Sequence, residues 1–78
     1  MSNPLAWLTE GELRALKLLA QGHGNKEIAE QLGLKRSTVE TRLNTVYHKL
    51  GVTQGKGRAA TTRVQAAKVY WEAANGAT

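Results

Sequence analysis

The sequence predicts an all-α domain of four helices, and three observations predict it. Apolar residues recur at intervals of three and four along four separate stretches. Glycines stand at the ends of the first three of these, at Gly22, Gly33 and Gly51. No stretch alternates apolar with polar residues as a strand does, and no internal repeat appears. At 78 residues the chain makes one domain with a thin core.

The first helix opens on a capping box, Thr9 with Glu12, flanked by Leu8 and Leu13 in the positions of a hydrophobic staple. Leu13, Leu16, Leu19 and Ala20 give it an inner face, and Gly22 stops it. Residues 1–7 form a lead-in, with Trp7 expected to fold back over the core. Asn25 is expected to cap a short second helix, Lys26 to Leu32, with Ile28, Ala29 and Leu32 inward and Gly33 then Leu34 at its end.

A third helix begins at Arg36 or Ser37, and Val39, Leu43, Val46 and Leu50 draw a narrow apolar stripe along it before Gly51. The opposite face carries Ser37, Thr41, Asn44, Thr45 and His48, flanked by Glu40 and Arg42. Every one of these can hydrogen-bond, whereas a merely solvated face more often carries Glu and Lys. Thr53 to Gly57 reads as a loop; Lys56 between Gly55 and Gly57 lacks the spacing of a phosphate-binding loop. The fourth helix is expected over about Arg58–Ala74, ended by Asn75-Gly76. One stripe there, Ala60, Val64, Ala67, Trp71 and Ala74, is assigned to the core. A second, Thr62, Ala66, Val69 and Ala73 with Tyr70 beside it, lies roughly opposite and is assigned to a dimer contact with another copy. The alternative is that alanine and threonine there simply fill a helix.

A helix, a tight glycine turn and a second helix with a polar outer face make a helix-turn-helix, over about residues 25–50 of a domain spanning 8–75. The charge supports a polyanion partner. Residues 35–63 carry seven cations (Lys35, Arg36, Arg42, Lys49, Lys56, Arg58 and Arg63) against Glu40 alone, while the remainder is near neutral. A solvated basic face would have the same charge; its position on a helix-turn-helix favours double-stranded DNA. The start of the second helix, at Asn25 and Lys26, offers free N–H groups to a phosphate. Glu40, Thr41, Asn44, Thr45 and His48 are the expected base readers, with Lys35, Arg36 and Arg42 among the flanking groups.

An enzyme is not expected, because the two histidines, His23 and His48, lie on separate elements and the chain has no aspartate. No metal, cofactor or small-molecule ligand is expected. The absence of cysteine suits a reducing compartment, and no apolar run approaches the roughly 20 residues of a membrane span. A cytosolic protein is therefore the expectation.

Taken in order, Leu8-Thr9-Glu10 with Glu12, Leu19-Ala20-Gln21-Gly22, Asn25 through Leu34, Thr38-Val39-Glu40, Leu43 and Val46 through Val52 resemble the LuxR/FixJ-type (GerE-like) DNA-binding domain. The resemblance is close over 8–52 and loose over the fourth helix. It implies that helix 3 enters the major groove and helix 4 mediates dimerisation. It places Glu40, Thr41 and Asn44 where the family faces bases, and Lys26, Ser37, Thr38 and Lys49 where it touches phosphates. Three departures stand out. Glu40 occupies a position where many members carry lysine, and its carboxylate would accept from a cytosine amino group. Lys35 replaces a capping serine, a role then left to Ser37. Residues 54–57 look like an insertion before helix 4. Two other readings share these signatures: the promoter-reading domain of sigma factors, which acts through RNA polymerase, and a protein-interaction module on the same scaffold.

Overall fold

The computed structural model describes residues 3–52 and 59–75, with side chains of the last helix described from Thr62 onward. Four α-helices follow a short 3-10 turn at Pro4–Trp7: α1 Glu10–Ala20, α2 Asn25–Leu32, α3 Arg36–Leu50 and α4 Ala59–Asn75. Among the described residues there is no strand. No helix among them is long and apolar enough to cross a membrane. Thr53 to Arg58, including the basic Lys56 and Arg58, lie outside the described residues, as does Gly76.

The local signals act as expected. Thr9 Oγ1 accepts the Glu12 N–H at 3.2 Å, and the Glu12 carboxylate accepts the Thr9 N–H at 2.9 Å, so two orphan amides of the first turn are satisfied reciprocally. At the end of α2, Gly33 turns left-handed (φ 67°), and the Leu34 N–H donates to the Ala29 carbonyl at 2.9 Å. Gly51 does the same after α3 (φ 71°), with Val52 donating to Tyr47 at 3.1 Å. A side chain at either glycine would strain the backbone. In both cases the apolar residue after the glycine packs back onto the core.

The core lies where α1 crosses the other three helices. Leu16, Ile28, Val39, Leu43 and Val46 are its largest fully buried side chains, with Ala15, Leu19, Ala29, Tyr47 and Ala66 completing it. The α3 stripe is thus as expected, with Tyr47 added to it and Leu50 left half-buried. On α1, Leu13 and Ala20 are only half-buried, and the inner face is Ala15, Leu16 and Leu19.

Three expectations are corrected. Trp7 is 59% exposed and is not among the residues packed against the core. The 3-10 turn is capped by Asn3, whose Oδ1 accepts the Leu5 N–H at 2.9 Å, and its three-residue repeat turns Leu5 and Leu8 to the core instead. Helix α2 starts one residue early. Gly24 is its cap, and the Glu27 carboxylate accepts the Gly24 N–H at 3.1 Å, so Asn25 is already helical.

The third correction concerns α4, whose two faces are exchanged. Thr62 and Ala66 are buried within the same chain and half-buried Tyr70 packs against the core, so these three are turned inward, while Val69 and Ala73 are half-buried. Val64 (66% exposed), Trp71 (44% exposed) and Ala74 point the other way, and Ala67 sits half-buried at the boundary. The cause is steric. The small Thr62 and Ala66 let α4 pack against α1, whereas a thin core has no room for an indole. Trp71 stays at the rim, donating its indole N–H to the Ala20 carbonyl at 3.1 Å and meeting the Tyr70 ring edge-on at 5.1 Å.

Candidate nucleic-acid interface

The connection from α2 to α3 is three residues long, Gly33 to Lys35, and it holds the two helices as a helix-turn-helix. Lys35 stands at the N-cap of α3 but supplies no side-chain acceptor, so the start of α3 is left with unpaired N–H groups. With Val39, Leu43, Val46 and Tyr47 buried, the opposite side of α3 presents Ser37, Glu40, Thr41, Asn44 and His48 to solvent. Thr45 is half-buried beside them. Lys35, Arg36 and Thr38 are exposed beside this strip on α3, and Lys26 is exposed on α2. Ser37, Glu40, Thr41, Asn44 and His48 thus share one exposed side of α3.

Four of the other residues expected to meet DNA are less free. Asn25 is half-buried, and its Oδ1 accepts from Arg63 Nη1 at 2.7 Å, while Arg63 Nη2 donates to the His23 carbonyl at 2.8 Å. Lys49 pairs with Glu12 at 2.7 Å, the two side chains being 34% and 12% exposed. The half-buried Arg42 lies over α1, with its Nη1 only 2.7 Å from where a Cβ on Gly11 would stand. Arg36 reaches Glu40 at 3.5 Å, one turn along the helix, in a pair open to water.

These contacts define two tethers. On one flank of α3, Glu12 at the start of α1 holds Lys49. Between these helices runs an open groove of about 400 Å³ lined by Glu12, Ser37, Thr38, Thr41, Arg42 and Thr45. The Lys49 ammonium, and next the Thr9 N–H, hold the Glu12 carboxyl below the usual carboxylate range. On the other flank, Arg63 of α4 spans to the start of α2 beside Tyr47. Burial pushes the Tyr47 phenol above its ordinary value, with the Arg63 guanidinium acting against that rise. A cleft of about 250 Å³ there is lined by Asn25, Glu40, Leu43, Asn44, Tyr47 and Arg63.

Glu12 and Arg63 were not singled out as site residues from the sequence. Glu12 reads as a cap and Arg63 as one charge in a basic block; their partners lie 37 to 40 residues away, where no local spacing reports them. Among the described residues no group of three or more His, Cys, Asp or Glu side chains is placed to hold a metal ion. His23 instead lies 3.6 Å from the Glu27 carboxylate.

The comparison with known proteins agrees with this architecture. The sequence profile of bacterial regulatory proteins of the luxR family matches residues 6–68. The oxygen regulatory protein NreC of Staphylococcus aureus strain bovine RF122 / ET3-1 is 45% identical over 51 residues, which cover 65% of this chain and 24% of NreC. NreC of strain JH9 is 43% identical over the same shares of each chain. The chain therefore matches about a quarter of the length of these curated relatives. No solved structure matches it significantly. With the family profile covering most of the chain, and with the expected helix-turn-helix in place, the chain belongs to the luxR family of bacterial regulatory proteins.

Proposed function

We propose that this domain binds double-stranded DNA sequence-specifically and regulates transcription, with α3 lying in the major groove. The observation that carries this is the exposed strip of α3, in which Ser37, Glu40, Thr41, Asn44 and His48 stand together on a helix whose other side is locked into the core. A groove reader needs that combination: hydrogen-bonding side chains toward base edges on a rod that cannot roll. Lys35, Arg36 and Thr38 at the start of α3, Ser37 at the end of the strip and Lys26 on α2 supply phosphate contacts that set register. The site chemistry is binding, with no catalytic step, in the bacterial cytoplasm at the nucleoid.

The active form is a homodimer through the outer side of α4. Val64 and Trp71 are seven residues apart, hence on one side two turns along, and both are exposed apolar groups. Two copies joined there would set their α3 helices on half-sites roughly 10 bp apart. The relatives are oxygen regulatory proteins by name, and the segment they share with this chain is the DNA-binding one. RNA polymerase becomes a direct partner only under the sigma-factor reading.

Titration of duplex DNA at several salt concentrations tests the proposal. If a dimer neutralises about six phosphates, log affinity falls against log salt with a slope near −5. Chemical-shift mapping under the same conditions should move the α3 strip. Salt-independent association, or shifts confined to another surface, would refute the assignment and favour the protein-interaction reading that an exposed Glu40 invites.

A further inference from the structure

Along the outer side of α3 both threonine hydroxyls are already engaged as donors. Thr41 Oγ1 donates to the Ser37 carbonyl at 3.1 Å, and Thr45 Oγ1 donates to the Thr41 carbonyl at 3.2 Å. A hydroxyl carries a single O–H, so each threonine is left with lone pairs and a methyl group. Glu40, an acceptor only when ionised, has a side chain 52% exposed in the middle of the strip. Asn44 has both a donor and an acceptor.

The α3 cations that might donate to guanine are drawn aside. Arg42 lies over Gly11 of α1, Lys49 is held by Glu12, and Arg36 sits one turn toward the helix start against Glu40 itself. The centre of the strip is therefore rich in acceptors and methyls and poor in donors.

Base edges differ in what such a strip can satisfy. In the major groove cytosine and adenine present amino donors and thymine presents a methyl group, whereas guanine presents only acceptors. A carboxylate also costs affinity on any duplex, because the phosphates are dense in negative charge. Arg36, in a loose exposed pair with Glu40, offsets part of that cost, and the rest is offset where a base supplies a donor. The geometry points to Glu40 as the specificity-determining residue of this domain: its carboxylate selects a cytosine amino group in each half-site. Thr41 and Thr45 favour adenine or thymine at the adjoining positions. This rests on the proposal that α3 lies in the major groove, and names the chemistry read there.

The test begins with sites selected by the intact chain from a random duplex pool. Binding of the wild type, Glu40→Gln and Glu40→Ala is then compared on the selected site, on its single-base-pair variants and on random duplex, with thermal melts confirming that all three fold. In the selected half-site one C·G pair should matter to the wild type by roughly tenfold or more. Placing 7-deazaguanine opposite that cytosine should leave wild-type affinity unchanged. Both variants should bind random duplex more tightly than the wild type. Glu40→Ala should lose the preference at that pair, and Glu40→Gln should move it toward adenine, whose edge matches an amide. A preference that survives both variants, or an affinity loss with 7-deazaguanine, overturns the assignment to Glu40 while leaving DNA binding intact. Wild-type chain that binds no duplex in a salt-dependent way overturns the functional reading, and this inference with it.

Discussion

The two tethers of the helix-turn-helix hold it by different chemistry. On the α1 side, Glu12 and Lys49 are opposite charges at 2.7 Å, and the carboxylate also serves the α1 cap. On the α4 side, Arg63 is a cation gripping two neutral oxygens, the Asn25 side chain and the His23 carbonyl. The first contact changes with the protonation of a carboxylate; the second rests on neutral oxygens and, beside them, the Tyr47 phenol, whose raised value leaves it protonated through the acid and neutral range. The reading head is thus anchored at one flank in a way that responds to acid and at the other in a way that does not.

The largest effect is expected from cutting the neutral tether. Arg63→Met keeps the length of the side chain but leaves the Asn25 and His23 oxygens without their donor. Stability should fall by about 1–3 kcal/mol, the usual cost of stranding part-buried acceptors. For a domain of this size that lowers the melting midpoint by about 4–8 °C per kcal/mol. Arg63→Lys, with a point charge in place of a planar fork, should recover only part of the loss. Thermal melts at several pH values check both, and the deficit should be the same at pH 5 and pH 8. A deficit that shrank toward acid would mean that Arg63 serves a carboxylate, Glu40 being the one in its cleft.

The ionic tether should give a smaller effect with a pH signature. The Glu12 carboxyl is held below its ordinary value in the folded chain. Its contribution is therefore fully present above the unfolded value, about 4.3, and disappears as pH falls through the folded one. Glu12→Gln keeps an oxygen for the Thr9 amide, since glutamine also completes a capping box. It should cost about 1 kcal/mol at neutral pH, between an exposed pair and a buried charged hydrogen bond. The cost should shrink toward zero as pH drops below about 4. Denaturant melts across that range check it, and a constant offset would assign the role to the cap alone.

The same contrast explains how much of this molecule the sequence discloses. Thr9 with Glu12, Gly33 with Leu34, and Gly51 with Val52 act across one to three residues, so spacing alone predicts where α1 starts and where α2 and α3 stop. The α3 strip was legible for a related reason: Val39, Leu43 and Val46 decide which side is buried, and the other side follows. Helix α2 offered a signal that was misread, because Glu27 lies three residues after Gly24, the spacing of a cap partner, and not three after Asn25. The tethers were illegible. Lys49 and Arg63 find acceptors more than thirty residues away, and nothing in a basic block says which of its members are engaged. On α4 the two stripes differ little in hydropathy. Its rotation is decided by how closely a helix can approach at Ala66, a packing property that favours the smaller stripe over the bulkier one.

A third charged contact, Arg36 with Glu40, marks the lower limit of the comparison. It resembles the Glu12–Lys49 pair on paper, but both partners are largely in water and 3.5 Å apart. Solvent screening and the entropy of holding two long side chains together remove most of its worth. Arg36→Ala should therefore change stability by no more than about 0.5 kcal/mol. Its effect on DNA should be clear all the same: the variant loses a cation at the rim of the strip and leaves Glu40 uncompensated against the phosphates. Affinity for every duplex should fall and the salt slope should become shallower by about 1. A melting curve and a salt titration on the same variant separate the two. If Arg36→Ala unfolds the domain as readily as Glu12→Gln, exposure is not what distinguishes the pairs, and the ranking of the tethers fails.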